Sequence, residues 1–306
     1  MRCRSAFTAA DKLPRRDFVA ALIASLAGAC QHTSGSGQAE SPPMTPAAIS
    51  PKSQRMPLLF LGHGSPMNAI EDNEFSQAWA DVAQSIPKPT AILCVSAHWQ
   101  TIGTAVTAME HPKTIHDFYG FPQRLFDVQY PAPGSPELSS QVQRTIRSTP
   151  VQLDHKWGLD HGAWSVLCQM FPAADVPVVQ LSLDQHKTPE FHYELGKELR
   201  ALRRQGVLVV GSGNIVHNLR MLAWRDEAYD WAVQFDERIK QAILAGDHQA
   251  IIHFDRFGEI ARLAVPTDEH FLPLLYVLAC QENEAVSFFA EKVTLGAISM
   301  RSLRVG

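Results

Sequence analysis

Histidine is the commonest metal ligand and the usual acid–base group near neutral pH, and this chain carries thirteen of them. Position separates those that can do chemistry from surface scatter. His63 stands between Gly62 and Gly64, directly after the apolar run Leu58–Leu61, and Pro66 stops any regular continuation. The flanking glycines remove bulk and permit unusual backbone angles, so the imidazole is presented in a tight turn. His98 follows a second apolar run, Ala91-Ile-Leu-Cys-Val-Ser-Ala97. His161 repeats the glycine-flanked pattern in Gly158-Leu-Asp-His-Gly162. His217 comes shortly after Val207-Leu-Val-Val-Gly211, and His270 follows Asp268 and Glu269 between Pro266 and Pro273. Singly, each has an ordinary explanation as a core, capping or loop residue. Together, His63, His98, His217 and His270 form an imidazole-rich set without thiolates, which suits zinc, copper or non-haem iron. Two histidines and one carboxylate with open positions is the usual Fe(II) dioxygenase arrangement, and Glu269 beside His270 leaves the third ligand ambiguous.

The elements that must position these residues are those of an α/β fold. Apolar runs at 58–61, 91–97, 176–183 and 207–211 have the length and composition of buried strands. Shorter candidate strands lie at 103–109 and 152–157. Helical spacing covers 71–85, 135–148, 163–171, 188–204, 231–245 and 274–280. This alternation predicts a single three-layer α/β domain, with a central, mostly parallel or mixed sheet flanked by helices. Right-handed crossovers bring parallel strand ends to one edge, and sites in such sheets form beyond the carboxyl ends. His63 and His98 thereby become neighbours although 35 residues apart. His161 falls at or just before a helix N-terminus, whose dipole disfavours a protonated ring. Gly211-Ser-Gly213 invites comparison with a dinucleotide loop, but Val216 stands where the third glycine belongs.

The irregular, aromatic stretch His111–Pro122 has the character of a pocket wall. His116 and Tyr119 are candidates to touch an aromatic substrate, whereas Phe118 and Phe121 are assigned to packing. His192 is assigned to the exposed face of its helix, and His248 and His253 to solvent. Thr267 or Asp268 would cap the last helix.

The chain of 306 residues is 45% hydrophobic and 19% charged, ordinary values for a globular protein. A net charge of −4 gives no electrostatic case for nucleic acid or an anionic membrane. Cys94, Cys168 and Cys280 sit in apolar runs, as buried thiols do. Residues 1–30 resemble an export leader: Arg15-Arg16-Asp17-Phe18-Val19 is similar to a twin-arginine signal, and the apolar stretch Phe18–Ala29 is too short to span a bilayer. Leu26-Ala-Gly-Ala-Cys30 is similar to a cleavage site or an imperfect lipobox. Residues 31–56 have the Ser, Gly, Pro, Gln and Thr content of a flexible linker. The expected location is the periplasm or cell envelope, with the cytoplasm as the alternative.

The motifs GHGSPM (62–67), SAHWQT (96–101), LDHGAW (159–164), GSGNIVHN (211–218) and PTDEHFLPL (266–274) resemble those of the DODA-type extradiol aromatic ring-opening dioxygenases of the LigB superfamily. The resemblance spans residues 57–306, a single catalytic domain, with the motifs in the family's order. It implies metal ligation by His63, His98 and His270, with His217 as a fourth ligand or an acid–base group beside the metal. His161 would be the other acid–base or substrate-binding histidine. It further implies Fe(II) as the catalytic metal, with Zn(II) as an alternative occupant. The substrates would be O2 and a DOPA-like or caffeate-like catechol cleaved beside its two hydroxyls. The resemblance points to no integral membrane span and is compatible with a monomer. Two rival functions use the same residues: a zinc-dependent hydrolase with water at the open position, and a non-enzymatic binding protein.

Overall fold

In the computed structural model, residues 55–224 and 227–306 are described, and the leader and most of the linker lie outside them. Met56, assigned to the linker, is already buried, and its N–H donates to Arg203 O at 3.0 Å. The strands are β1 (Leu58–Gly62), β2 (Ala91–Thr101), β3 (Thr104–Thr107), β4 (Val151–Asp154), β5 (Val178–Asp184), β6 (Val207–Gly213), β7 (Val286–Phe289), β8 (Val293–Thr294), β9 (Ile298–Ser299) and β10 (Ser302–Val305). The helices are α1 (Glu74–Gln84), α2 (Gln123–Phe126), α3 (Pro136–Thr145), α4 (His161–Met170), α5 (Pro189–Glu198), α6 (Asp230–Leu244), α7 (His248–Ile252), α8 (Glu259–Ala264) and α9 (Leu272–Ala279).

The main sheet has the order β4-β3-β5-β2-β6-β1-β10-β7. Its centre, β5-β2-β6-β1, is parallel, and β10 and β7 extend it antiparallel from β1. Alternate strand residues go to opposite faces, because the side-chain period of a strand is 2. Leu58, Phe60, Leu93, Val95, Val207 and Val209 pack in the layer that contains α3, α5, α6, α8 and α9. Leu59, Leu61, Ile92, Cys94, Leu208 and Val210 pack in the layer that contains α1 and α4. The three-layer α/β domain expected from the alternation is therefore present. None of the described helices is long and apolar enough to cross a membrane.

Local chemistry starts the helices where they are needed. Asn73 caps α1 through a reciprocal bond pair with Ser76, Ser135 caps α3, and Asp160 caps α4. The start of α9 departs from expectation: neither Thr267 nor Asp268 supplies a side-chain cap there, and Thr267 Oγ1 instead donates to Glu269 Oε1 at 3.0 Å. His192 also departs from it. The face of α5 that carries it is covered by α9, so His192 is fully buried, with its Nδ1 2.9 Å from Tyr276 Oη. His248 and His253 are half-buried, against Tyr193 Oη at 2.8 Å and Glu190 Oε1 at 3.0 Å. The strands from β7 to β10 were not expected from the sequence.

The three cysteines of the domain are unpaired. Burial pushes the Cys168 and Cys280 thiols up to about 12, so neither is a ready nucleophile.

Candidate metal centre

The parallel strands β1, β2 and β6 end at one edge of the sheet, and all five motif histidines gather there. His63 follows β1, and its N–H donates to Gly213 O at 3.1 Å. Gly64 takes φ +57°, a left-handed conformation open to glycine at little cost. His98 lies inside β2 rather than after it, where the pairing register with β5 shifts between Val95 and Gln100. The irregularity re-aims the side chain, as bulges near sites do. His161 is the first residue of α4. His217 follows β6 and bridges to Ile298. His270 stands in the turn before α9, and its carbonyl accepts Asn214 N–H at 2.8 Å. That approach explains the glycine at 213: a Cβ there would meet His270 O at 2.1 Å. The Gly-Ser-Gly pattern thus serves close backbone packing, not phosphate binding.

Each of three imidazoles has its Nδ1 turned towards an acceptor. His63 Nδ1 lies 3.0 Å from Ser212 Oγ. The Ser212 hydroxyl already donates to Gly162 O at 2.5 Å, so only lone pairs face the ring. His270 Nδ1 lies 3.0 Å from Glu269 Oε1. His98 Nδ1 lies 3.4 Å from Asp117 Oδ2. Acceptors at Nδ1 hold the proton there and leave Nε2 with its lone pair. The Nε2 atoms of His63 and His98 approach at 3.2 Å, and the buried His270 Nε2 has no hydrogen-bond partner.

This donor set fits a metal ion. The ring centroids of His63, His98 and His270 are 5.0, 5.0 and 5.2 Å apart. With bonds of about 2.1 Å to each Nε2, three imidazoles roughly 100–110° apart around one ion have centroids about 5.0–5.3 Å apart. Among the described residues, the groupings whose ligand atoms lie mutually within 4.8 Å are His63, His98 and His161, and His217, Glu269 and His270. His161 crowds His98, with centroids 3.9 Å apart. His217 stacks on His270 at 3.4 Å with an interplanar angle of 9°. Parallel stacked rings direct their lone pairs side by side rather than to a shared point.

The electrostatics favour the neutral form of His63, His98, His217 and His270. Burial first, and the neighbouring imidazoles next, hold His63 and His270 well below the usual histidine range. Burial and then His161 lower His98 to about 3, against the pull of Asp117, and lower His217 to about 4. Neutral imidazole is the form that a metal binds and a base requires. Asp160, fully buried under the site, caps α4 and also accepts from Ser96 Oγ at 2.6 Å and Gln180 Nε2 at 2.7 Å.

Neither His116 nor Tyr119 is brought into the cluster. His116 Nε2–H donates to Val128 O at 3.0 Å, and its ring packs among Phe118, Phe126 and Trp164. Tyr119 is 92% exposed. The aromatic that faces the histidines is Phe118, edge-on to His161 at 5.5 Å. Phe118 also packs on Phe121, Phe126 and Trp164, the role assigned to it from the sequence, whereas Asp117 and Ser212 were not found there. No periodic signal marks them, although both lie within two residues of histidine or glycine motifs.

A buried set of neutral imidazoles at the carboxyl edge of a three-layer α/β sheet defines a metalloenzyme site. The model of the LigB family, the catalytic LigB subunit of aromatic ring-opening dioxygenase, matches residues 57–305. An Escherichia coli K12 protein named 4,5-DOPA dioxygenase extradiol is 47% identical over 273 residues, covering 86% of this chain and all of that protein. A Beta vulgaris protein of the same name is 40% identical, covering 80% of this chain and 94% of that one. A crystal structure of an uncharacterised E. coli K12 protein superposes with a TM-score of 0.72 at 42% identity, covering 82% of this chain and all of that chain. The chain belongs to the LigB family and is a metal-dependent, extradiol ring-cleaving dioxygenase. Its substrates are O2 and a small aromatic molecule.

Proposed function

We propose that this enzyme opens the ring of a DOPA-like or caffeate-like catechol beside its two hydroxyls. His63, His98 and His270 would hold Fe(II), with Zn(II) able to occupy the same ligands. The observation that carries the assignment is the triangle of three rings, with centroids 5.0–5.2 Å apart, whose Nδ1 atoms face acceptors. The DOPA-dioxygenase name shared by relatives at 47% and 40% identity supports the substrate class. The bound ion supplies Lewis acidity towards the catechol oxygens and redox chemistry towards O2.

The chain's own residues do the rest. His217 and His161, at the site's edge, take a phenolic proton and return one to the developing anion. Stacking on His270 favours the acid–base role for His217 over that of a fourth ligand. Phe118 offers an aromatic face beside His161 for the substrate ring, with His116 behind it and Tyr119 at the exposed rim. The twin-arginine-like leader supports export of the folded, metal-loaded enzyme to the periplasm or cell envelope, with the stretch from residue 31 up to Met56 as the linker. Cell fractionation with Arg15-Arg16→Lys-Lys tests this and predicts retention in the cytoplasm.

The functional test is oxygen uptake by metal-stripped protein, reconstituted anaerobically with Fe(II) or Zn(II) and mixed with DOPA in air. Iron-dependent uptake with a new yellow ring-opened product is expected. Uptake that is absent with iron across a catechol panel, together with oxygen-independent hydrolysis by the zinc form, would favour a zinc hydrolase instead.

A further inference from the structure

One carboxylate touches both the metal half and the acid–base half of the histidine cluster. Asp117 lies between β3 and α2, with its side chain 20% exposed. Its Oδ2 is 3.4 Å from His98 Nδ1 and 3.0 Å from His161 Nδ1, the latter off the line of an ideal hydrogen bond. Its Oδ1 accepts the backbone N–H of His161 at 2.9 Å. An ionised carboxylate presents lone pairs only. A ring nitrogen facing it with its own lone pair is repelled, so each neutral ring keeps its proton on Nδ1. Both Nε2 atoms then carry a free lone pair.

We propose that Asp117 is a positioning residue that sets the tautomer of two histidines at once. It holds His98 in the form that ligates a metal through Nε2, and His161 in the form that accepts a proton through Nε2. Metal binding and proton transfer thereby depend on one side chain that touches neither the ion nor the substrate. The inference rests on His63, His98 and His270 being the ligands.

Two substitutions separate this role from a packing role. Oδ1 is committed as acceptor of the His161 N–H, so Asp117→Asn places an amide N–H2 where Oδ2 stands. A donor there demands a lone pair on Nδ1 and drives the proton to Nε2, where it blocks ligation. Asp117→Ala leaves a partly exposed gap, and water entering it serves either tautomer. A packing role predicts that the isosteric Asn is the milder change; tautomer control predicts the reverse.

The experiment is Zn(II) affinity of the metal-stripped full chain, by competition with a chelator, with thermal midpoints of the metal-free proteins measured alongside. Expected is about 10–100-fold weaker binding for Asp117→Asn, a smaller loss for Asp117→Ala, and folded protein in both cases. Binding by Asp117→Asn as tight as that of Asp117→Ala, or tighter, would overturn the inference. Failure of the wild-type chain itself to bind Zn(II) would overturn the ligand assignment and this inference with it.

Discussion

The short segment from Ile298 to Arg301 borders two buried polar clusters of opposite character. On one side, Arg301 Nε donates to Asp236 Oδ2 at 2.7 Å, and Ser299 Oγ donates to Asp236 Oδ1 at 2.5 Å. Glu237 and Glu291 add further contacts to the same guanidinium. Charge meets charge, and donors meet acceptors. On the other side, Ile298 bridges to His217, at the margin of the histidine cluster, where burial and then the neighbouring imidazoles hold His63 and His270 well below the usual range. Two Nε2 atoms confront each other at 3.2 Å and a third, buried, has no partner. The first cluster is complete as folded. The second leaves lone pairs unmatched, at a cost of about 1–3 kcal/mol for each buried group left unsatisfied, until a cation shares them. The pairing shows that polarity is spent on stability in one place and withheld for a ligand in the other.

Substitutions can break that contrast, and the largest effect belongs to the ligands. His63→Ala should abolish stoichiometric Fe(II) binding and reduce turnover to background, measured by metal analysis and oxygen uptake. Next come the acid–base residues: His161→Ala and His217→Ala should keep the metal and lose about 10²–10⁴-fold in kcat. Full metal loss in His217→Ala would make that residue a ligand instead. Asp236→Ala should act only on the stability side. It strips Arg301 of its most buried partner and should cost about 3 kcal/mol in denaturant unfolding, while the folded fraction keeps wild-type metal stoichiometry.

Acid should separate the clusters as well. An unfolded histidine takes up a proton near 6.5, whereas folded His98 does so at about 3 and His217 at about 4. Between those limits the unfolded chain binds more protons. The metal-free protein should therefore lose stability as pH falls from about 6.5 towards 4. Thermal midpoints at pH 7 and 5 check this, and a pH-independent midpoint would contradict it. The smallest effect should be that of His116→Phe, about 1 kcal/mol for one lost hydrogen bond to Val128, with metal binding unchanged.

The sheet centre and the five histidines were legible because apolar runs end in glycine-flanked or capped turns, a local signal. What surrounds them was not. Asp117 reaches across the sheet edge to residues 19 and 44 positions away, and no periodicity in its own stretch of chain marks it. Ser212 sits in a glycine pattern whose purpose is backbone approach by a turn near residue 270, a tertiary fact. His192 lies at a polar-looking position of α5, but the almost wholly apolar α9 covers that face. The strands β7 to β10 are two to four residues long and β7 and β8 are partly exposed, too short for a period to emerge. His116 turns towards Val128 and the aromatics around it, while Phe118 packs as expected and also reaches His161, because an irregular loop carries no periodicity to tell inward from outward.

The most direct test of the ligand triangle is a crystal structure of the Fe(II) or Zn(II) form with anomalous scattering from the metal. One ion bonded to the Nε2 atoms of His63, His98 and His270, at about 2.0–2.2 Å each, is the predicted result. An ion held instead by His63, His98 and His161, or by His217, Glu269 and His270, would contradict it.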